Sequence, residues 1–323
     1  MNLLSGIYGG ITGVRNALYN RRWMRVKHLA GPVVSVGNIS AGGSGKTPFV
    51  LLLGELLKER GIRVDVLSRG YRRRSRGVLL VHPDGNPDDF GDEPLLIARN
   101  LQVPVIVGES RYEAGRFAEA TFGPQLHLLD DGFQYRELAR DFDIVLITPE
   151  DMRDQMLPFG RLREPLASLA RADAVVLMGD IPDAAIPASG KPIWRARRGI
   201  IVNSAPNRPV VFCGIARPKN FVAQLRFAGM TPAAEMFYRD HYRYSRSDIE
   251  NLLRLKQQAG AEGFVTTEKD VVNLGGYLAE LQPLSVAKVK LEIENPANVV
   301  DTILRRIGVR NDKGVREFDE SRR

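Results

Sequence analysis

Three residue types stand in a useful order between positions 33 and 60. An apolar run suited to a buried strand (Val33 to Val36) leads into Gly-Asn-Ile-Ser-Ala-Gly-Gly-Ser-Gly-Lys-Thr (37–47), and an apolar helical stretch runs from Pro48 to Arg60. Glycines at 42, 43 and 45 let backbone N–H groups curl around phosphate oxygens with no Cβ in the way, at the positive end of the following helix. Lys46 is then placed to reach terminal phosphates, and the Thr47 hydroxyl to take one position on Mg²⁺. Gly42, Gly43, Ser44, Gly45, Lys46 and Thr47 therefore read as a nucleotide-binding phosphate loop. The usual pattern has glycine five positions before Gly45, where this chain has Ser40. A helix start capped by Ser44 would also explain Gly-Lys-Thr, but the strand before it and the helix after it favour nucleotide binding.

Four further groups sit near strand ends, where open α/β sheets carry their sites. Leu128-Leu129-Asp130-Asp131-Gly132 is an apolar strand finishing in two carboxylates, which suits Asp130 to hold Mg²⁺; turn chemistry alone would account for Asp-Gly. Phe90-Gly91-Asp92-Glu93-Pro94 puts paired acids before a helix, and Asp92 as a plain N-cap is the simpler account of it. Five arginines fall between Arg69 and Arg76, a solvated face or a set of forks for an anionic substrate. Leu162-Arg163-Glu164-Pro165 offers a cation for transition-state charge and a carboxylate for metal.

These residues need a scaffold. Apolar β-branched runs at Val64–Leu67, Val103–Val107, Leu126–Leu129, Ile144–Ile147 and Ala174–Met178 alternate with helical stretches such as Glu93–Asn100 and Arg111–Thr121. This predicts an α/β fold, a P-loop NTPase-like and mainly parallel sheet with helices on both faces. A softer region with Pro and Gly, 181–209, reads as a linker. After it come strands at Val210–Cys213, Ala233–Tyr238 and Phe264–Thr267 and helices at Pro218–Gly229, Ser245–Ala259 and Pro296–Ile307, a second and smaller α/β domain. The expected division is 1–28, 29–203 and 204–323, with the charged tail 311–323 frayed. With 323 residues, 44% hydrophobic and 26% charged, two globular cores are within reach. The single cysteine, Cys213, excludes an internal disulfide and reads as packing.

A net charge of +8 suits nucleic acid, anionic lipid or a phosphorylated substrate equally, so its distribution decides. Residues 1–30 hold Arg15, Arg21, Arg22, Arg25 and Lys27 and no acid. Leu3, Leu4, Ile7, Tyr8, Ile11, Val14 and Leu18 recur at helical spacing, too short and interrupted to span a bilayer. The stripe either lies in a membrane interface, with Trp23 and the basic cluster at anionic headgroups, or packs on the first domain.

Taken together the motifs resemble those of the tetraacyldisaccharide 4'-kinases of lipid A assembly. The shared stretches are 35–47, Ser-Arg-Gly-Tyr (68–71), Gly-Asp-Glu-Pro (91–94), Asp-Asp-Gly-Phe-Gln (130–134), Leu-Arg-Glu-Pro (162–165), Asp-His-Tyr (240–242) and Thr-Thr-Glu-Lys-Asp (266–270). The resemblance implies ATP- and Mg²⁺-dependent transfer of the γ-phosphoryl group to the 4'-hydroxyl of an acylated disaccharide 1-phosphate, by a peripheral protein at the cytoplasmic face of the inner membrane. It implies Asp92 as general base with His241 as its partner, and Thr47, Asp130 and Glu164 as the metal shell. Lys46 and Arg163 would hold phosphates, and Arg69, Tyr71, Arg111, Gln134 and Tyr135 would line the acceptor site. Tyr135 stands where the family usually has His, so its role is open. Because Asp92 and His241 fall in different expected domains, their pairing calls for the domains to close on the substrate. A monomer that binds no nucleic acid is expected. The competing class is a nucleotide switch or partitioning ATPase, but such loops carry a signature lysine where this chain has Ala41.

Overall fold

A computed structural model describes residues 3–187 and 190–308; the expected frayed tail at 311–323 lies outside them. In chain order the elements are α1 (Leu3–Asn20), β1 (Val33–Asn38), α2 (Lys46–Glu59), β2 (Val64–Ser68), β3 (Leu79–Leu80), α3 (Pro87–Phe90), α4 (Asp92–Leu101), β4 (Val105–Val107), α5 (Arg111–Phe122), β5 (Leu126–Asp130), β6 (Phe142–Ile147) and β7 (Ala174–Met178). They continue as β8 (Ile193–Val202), β9 (Pro209–Cys213), α6 (Pro218–Phe227), β10 (Ala234–Phe237), α7 (Arg246–Gln258), β11 (Gly263–Thr267), α8 (Glu268–Leu274), β12 (Leu284–Ile293) and α9 (Pro296–Ile307).

All the strands join one sheet, in the order β10-β9-β11-β12-β8-β7-β6-β1-β5-β2-β4-β3. Neighbours run parallel except β12 against β8 and β3 against β4. Strands β1, β2, β5 and β6 are buried along their whole length, which is why they read as mainly apolar runs; the polar residues within them, such as Asp65, His127 and Asp143, are buried too. Helix α2 buries Phe49, Val50, Leu53 and Leu57 against this sheet, each contributing roughly 1.5–3 kcal/mol. Gly37 in β1 is required by packing: a Cβ built there would lie 2.6 Å from the Cβ of Phe133 and 2.8 Å from its amide nitrogen.

The structure departs from the sequence reading at the expected boundary. The supposed linker 181–209 contains the ten-residue strand β8, which pairs antiparallel with β12 from Ala196↔Ile293 to Val202↔Ala287 and carries the sheet without a break from one half to the other. Helix α9, expected with the smaller unit, packs its Val299, Val300, Ile303 and Leu304 into the core built on α2 and β1. The smaller lobe is thus centred on β9, β10 and β11 with α6, α7 and α8, and the chain returns to the larger lobe to finish. Apolar side chains impose this, because the inner stripe of α9 has a partner only there.

Helix α1 docks with its polar side inward. Ser5 Oγ donates to the carbonyl of Met156 (2.9 Å), Asn16 Nδ2 to Glu164 (2.8 Å), and Arg136 lies over the Tyr19 ring while donating to the Asn16 carbonyl (2.9 Å) and Asn20 Oδ1 (2.8 Å). Leu4, Ile7, Ile11 and Val14 point outward, between 51% and 65% exposed, and Trp23 is 72% exposed. At about 100° per residue Leu4, Ile7, Ile11, Val14 and Leu18 fall within an arc of roughly 80°. Of the two readings of this stripe, packing on the first domain is therefore the one not met.

Behind α1, Glu119 of α5 accepts from the amides of Ala30 (2.6 Å) and Gly31 (2.8 Å) and lies 3.5 Å from His127 Nε2. His127 Nδ1 sits 2.8 Å from Asp65. Burial would lower the His127 pKa, but the hydrogen bonds to Asp65 and Glu119 outweigh it and raise it to about 9.

Candidate active site

The carboxyl ends of strands from both lobes meet around one cleft of about 1000 Å³. Its floor is the loop after β1. Ser40 bridges Leu162 in an extended pairing, so its position needs no glycine, whereas Gly42, Gly43 and Gly45 take positive φ values of 81°, 34° and 86°. The resulting row of backbone N–H groups at the start of α2 forms an anion cradle. Among the described residues the buried Ser44 Oγ has no hydrogen-bond partner, and Ser44 does not cap α2, whose N-cap is Gly45. Lys46 Nζ lies 3.1 Å from Asn38 Oδ1 and 3.5 Å from Asp131, and Arg163 makes a fork to the same carboxylate (2.8 and 3.0 Å). Partial burial would raise the Asp131 carboxyl, but Lys46 and Arg163 outweigh it and hold it well below the usual range.

Asp130, at the tip of β5, is the opposite case. Only 4% exposed, it accepts from Ser68 Oγ (3.1 Å) through Oδ2 and leaves Oδ1 unpartnered. Burial, reinforced by the charges of Glu93 and Asp131, pushes it up to about 7. A carboxylate so placed calls for a cation, and with Thr47 lining the same cleft the two residues fit Mg²⁺. Glu164 does not join them. It is 2% exposed, does not line the cleft, and both oxygens are engaged: Oε2 by Arg171 (2.6 Å) and Asn16 (2.8 Å), Oε1 by Gln134 (3.1 Å) and Arg171 (3.2 Å). As a metal ligand it departs from expectation, because Arg171 already neutralises it and α1 is pinned through it.

The wall opposite the phosphate loop joins the lobes. Asp92 is the first residue of α4, after Gly91, and does not cap the helix as the simpler reading had it. Its carboxylate lies 2.8 and 3.0 Å from Nδ1 of His241 and accepts from Asn273 Nδ2 (3.3 Å). His241 has φ 58°, uncommon for a non-glycine residue, and its amide donates to the Gly214 carbonyl (3.1 Å) at the end of β9. Gly214 in turn donates to Asp270 (2.8 Å), which also accepts from Tyr244 (2.8 Å), so buried Asp270 builds the turn that presents the imidazole.

Lys269 Nζ lies 3.2 Å from His241 Nε2, 3.2 Å from Asp240, 3.4 Å from Glu93 and 3.8 Å from Asp92. An ammonium only donates, so Nε2 accepts and the imidazole proton sits on Nδ1, directed at Asp92. Burial would raise the Asp92 carboxyl; the His241 hydrogen bond and the Lys269 charge win and lower it to about 2.

Arg69, Tyr71, Arg111, Gln134 and Tyr135 all line the cleft. Gln134 donates to the Asn38 carbonyl (2.8 Å), and the Tyr71 ring meets His241 edge-on at 5.4 Å. Sequence reasoning gave no role to Lys269, Asn38, Asn273 or Arg217. Arg217, from the smaller lobe, would touch a Cβ on Gly43 at 3.4 Å and pairs with Glu150 (3.0 Å). The clustering of Asp92, Glu93 and Asp240 was the available signal for a counter-cation such as Lys269, but only the fold brings those acids together.

The sequence matches the family model described as Tetraacyldisaccharide-1-P 4'-kinase over residues 1–308. It is 48% identical over 315 residues to the tetraacyldisaccharide 4'-kinase of Koribacter versatilis, covering 94% of this chain and 98% of that protein. The protein of the same name from Aquifex aeolicus is 38% identical over 307 residues, covering 90% and 93%. A crystal structure of LpxK from Aquifex aeolicus in complex with ATP superposes with a TM-score of 0.76 at 33% identity, covering 94% of this chain and 97% of that one.

Proposed function

This chain belongs to the tetraacyldisaccharide 4'-kinase family, and from that premise we propose how its cleft works. The enzyme transfers the γ-phosphoryl group of ATP to the 4'-hydroxyl of a tetraacyldisaccharide 1-phosphate in lipid A biosynthesis. The observation that carries the proposal for the site is the Asp92–His241 pair (2.8 Å), contributed by opposite lobes: His241 lines the same cleft as the glycine-rich loop, and Asp92 is buried directly behind it.

The N–H groups of residues 42–47 cradle the β- and γ-phosphates. Lys46 exchanges Asn38 and Asp131 for phosphate oxygens, and Arg163 adds charge beside it. Asp130 and the Thr47 hydroxyl would hold Mg²⁺, whose chemistry there would be to neutralise phosphate charge. Asp92 accepts a hydrogen bond from the 4'-hydroxyl, orienting an oxygen lone pair in line with the γ-phosphorus. With its carboxyl near 2, Asp92 is a weak base at rest. It takes the proton only as the new P–O bond makes that proton acidic, in keeping with a loose transition state. The bond between the γ-phosphorus and the β,γ-bridging oxygen breaks, and ADP leaves. Through its Nδ1 proton His241 fixes the carboxylate, and Lys269 fixes His241.

We also assign the outward stripe of α1, with Trp23 and the neighbouring arginines, to an anionic membrane surface. No helix among the described residues is long and apolar enough to cross a bilayer. The Asp92–His241 pair is already made in this structure, so the expectation that pairing requires the lobes to close on the substrate is not met; further closure on ATP would flex the β8–β12 ribbon that carries the sheet between lobes.

The test is to incubate the purified protein with ATP, Mg²⁺ and the acylated disaccharide monophosphate and follow products by mass. One added phosphate on the lipid is expected. ATP hydrolysis with the lipid unchanged would favour the nucleotide-switch class.

A further inference from the structure

Arg111 opens helix α5 and is 7% exposed, yet among the described residues no carboxylate lies within ion-pair distance of it. Its Nη1 donates to the Glu109 carbonyl (3.0 Å), and its Nε is buried without a partner. Burial lowers its pKa, and neighbouring Arg69 adds to that. Arg69, exposed on the cleft wall, makes no ion pair among the described residues either. What supports the Arg111 guanidinium is an aromatic face: its Cζ stands 4.0 Å from the centroid of the Tyr135 ring. The Tyr135 hydroxyl turns elsewhere, donating to Glu137 (3.3 Å), which pairs with Lys27 (3.1 Å). The backbone of Tyr135 is fixed by its amide to the Gly132 carbonyl (2.8 Å) and by Arg140 to its own carbonyl (2.7 Å).

We propose that Tyr135 is a positioning residue that acts through its ring face: it carries Arg111 so that Arg111 and Arg69 converge on a phosphate group in the cleft. This rests on the kinase reading for the identity of the ligands and on the geometry above for the ring. A cation held by a π face keeps its N–H groups for an anion, whereas a carboxylate partner would consume them. The phosphate could belong to ATP or to the acceptor's 1-phosphate, and the chemistry recognised is the same.

The experiment compares Tyr135→Phe, which keeps the ring, with Tyr135→Leu, which keeps the apolar volume and loses the π face, each alone and combined with Arg111→Ala. Equilibrium binding of ATP, and of the acceptor in mixed vesicles, is measured separately from turnover. Tyr135→Phe should bind both ligands within about twofold of wild type. Tyr135→Leu should weaken one of them about five- to tenfold, the range of a desolvated cation–π contact, and the ligand affected identifies the source of the phosphate. In the Arg111→Ala background the Leu substitution should have no further effect. Equal losses for Phe and Leu would assign the role to the phenol and overturn the proposal, as would additive losses in the double variant. Because these are binding measurements, a wild-type protein that binds ATP but leaves the lipid unphosphorylated would refute the kinase reading and leave the Tyr135–Arg111 coupling to be judged from the ATP arm.

Discussion

Asp130→Asn should make the ligand-free protein more stable while stopping its chemistry. In the fold this carboxyl is almost fully covered, has one hydrogen bond from Ser68, and faces the charges of Glu93 and Asp131. Its pKa moves from 3.8 to about 7. About three pH units at 1.36 kcal/mol each is on the order of 4 kcal/mol that the ionised form takes from stability. The sign follows from proton counting. Between pH 4 and 7 the folded state binds a proton that the unfolded state has released, so raising the pH through that window destabilises the fold, with the full effect above 7. Asparagine keeps the Ser68 contact and carries no charge, so at pH 8 the variant should gain roughly 2–4 kcal/mol, and at pH 4 the advantage should vanish. Urea unfolding in EDTA without nucleotide, followed by the fluorescence of buried Trp194, reads both conditions. Added Mg²⁺ and ATP should stabilise the wild type more than the variant. Equal stability at pH 8, or a gap of the same size at pH 4, would refute the view that Asp130 is held in readiness for a cation.

Three further outcomes are expected. His241→Ala should lower kcat well beyond tenfold and leave the KM for ATP nearly unchanged in steady-state assays, since the imidazole touches Asp92 and not the phosphate loop; unaltered turnover would remove it from the mechanism. Ile7→Ser with Ile11→Ser should release the protein from liposomes of anionic lipid without changing its melting temperature, because both side chains are already exposed; unchanged sedimentation with the vesicles would refute the membrane assignment of α1. The buried His127, with its pKa raised from 6.5 to about 9, contributes stability that is complete below pH 6.5 and lost as the pH rises through 9, on the order of 3 kcal/mol in all. Chemical denaturation across that range should show the slope in wild type and little of it in His127→Gln.

The parts of the fold that were legible share one physical property. Strands β1, β5, β6 and β7 are covered on both faces and so appear as mainly apolar runs, and the phosphate loop declares itself through backbone requirements that only glycine meets without strain. Strand β8 was read as linker because Arg195, Arg197, Arg198 and Gly199 break any such run, and β12 went unnoticed because Lys288, Lys290 and Glu292 alternate with its inward residues. Both form a ribbon that solvent reaches on one side. Helix α8 was short enough to miss, although Thr267 followed by Asp270 carries a capping signal: the Thr267 hydroxyl accepts from the Asp270 amide. In the site, Asp92, His241 and Asp130 were found by motif. Glu164 failed as an expected cleft residue because its ion pair with Arg171 and its bond to Asn16 are made by side chains no spacing rule connects. Deleting the first helix is for the same reason a poor test of membrane binding: it would free Glu164 and remove the Arg15 bond to the Gln134 carbonyl.

The return of α9 to the larger lobe has a consequence for biogenesis. Helix α2 begins with Lys46 and Thr47, the residues proposed to hold the nucleotide, and part of its apolar surroundings is supplied by Val299, Val300, Ile303 and Leu304. On the ribosome that surface stays bare until Pro296–Ile307 has emerged, so a product interrupted anywhere before Pro296 would display greasy residues to chaperones and proteases. The packing around the glycine-rich loop thereby depends on synthesis having passed α9.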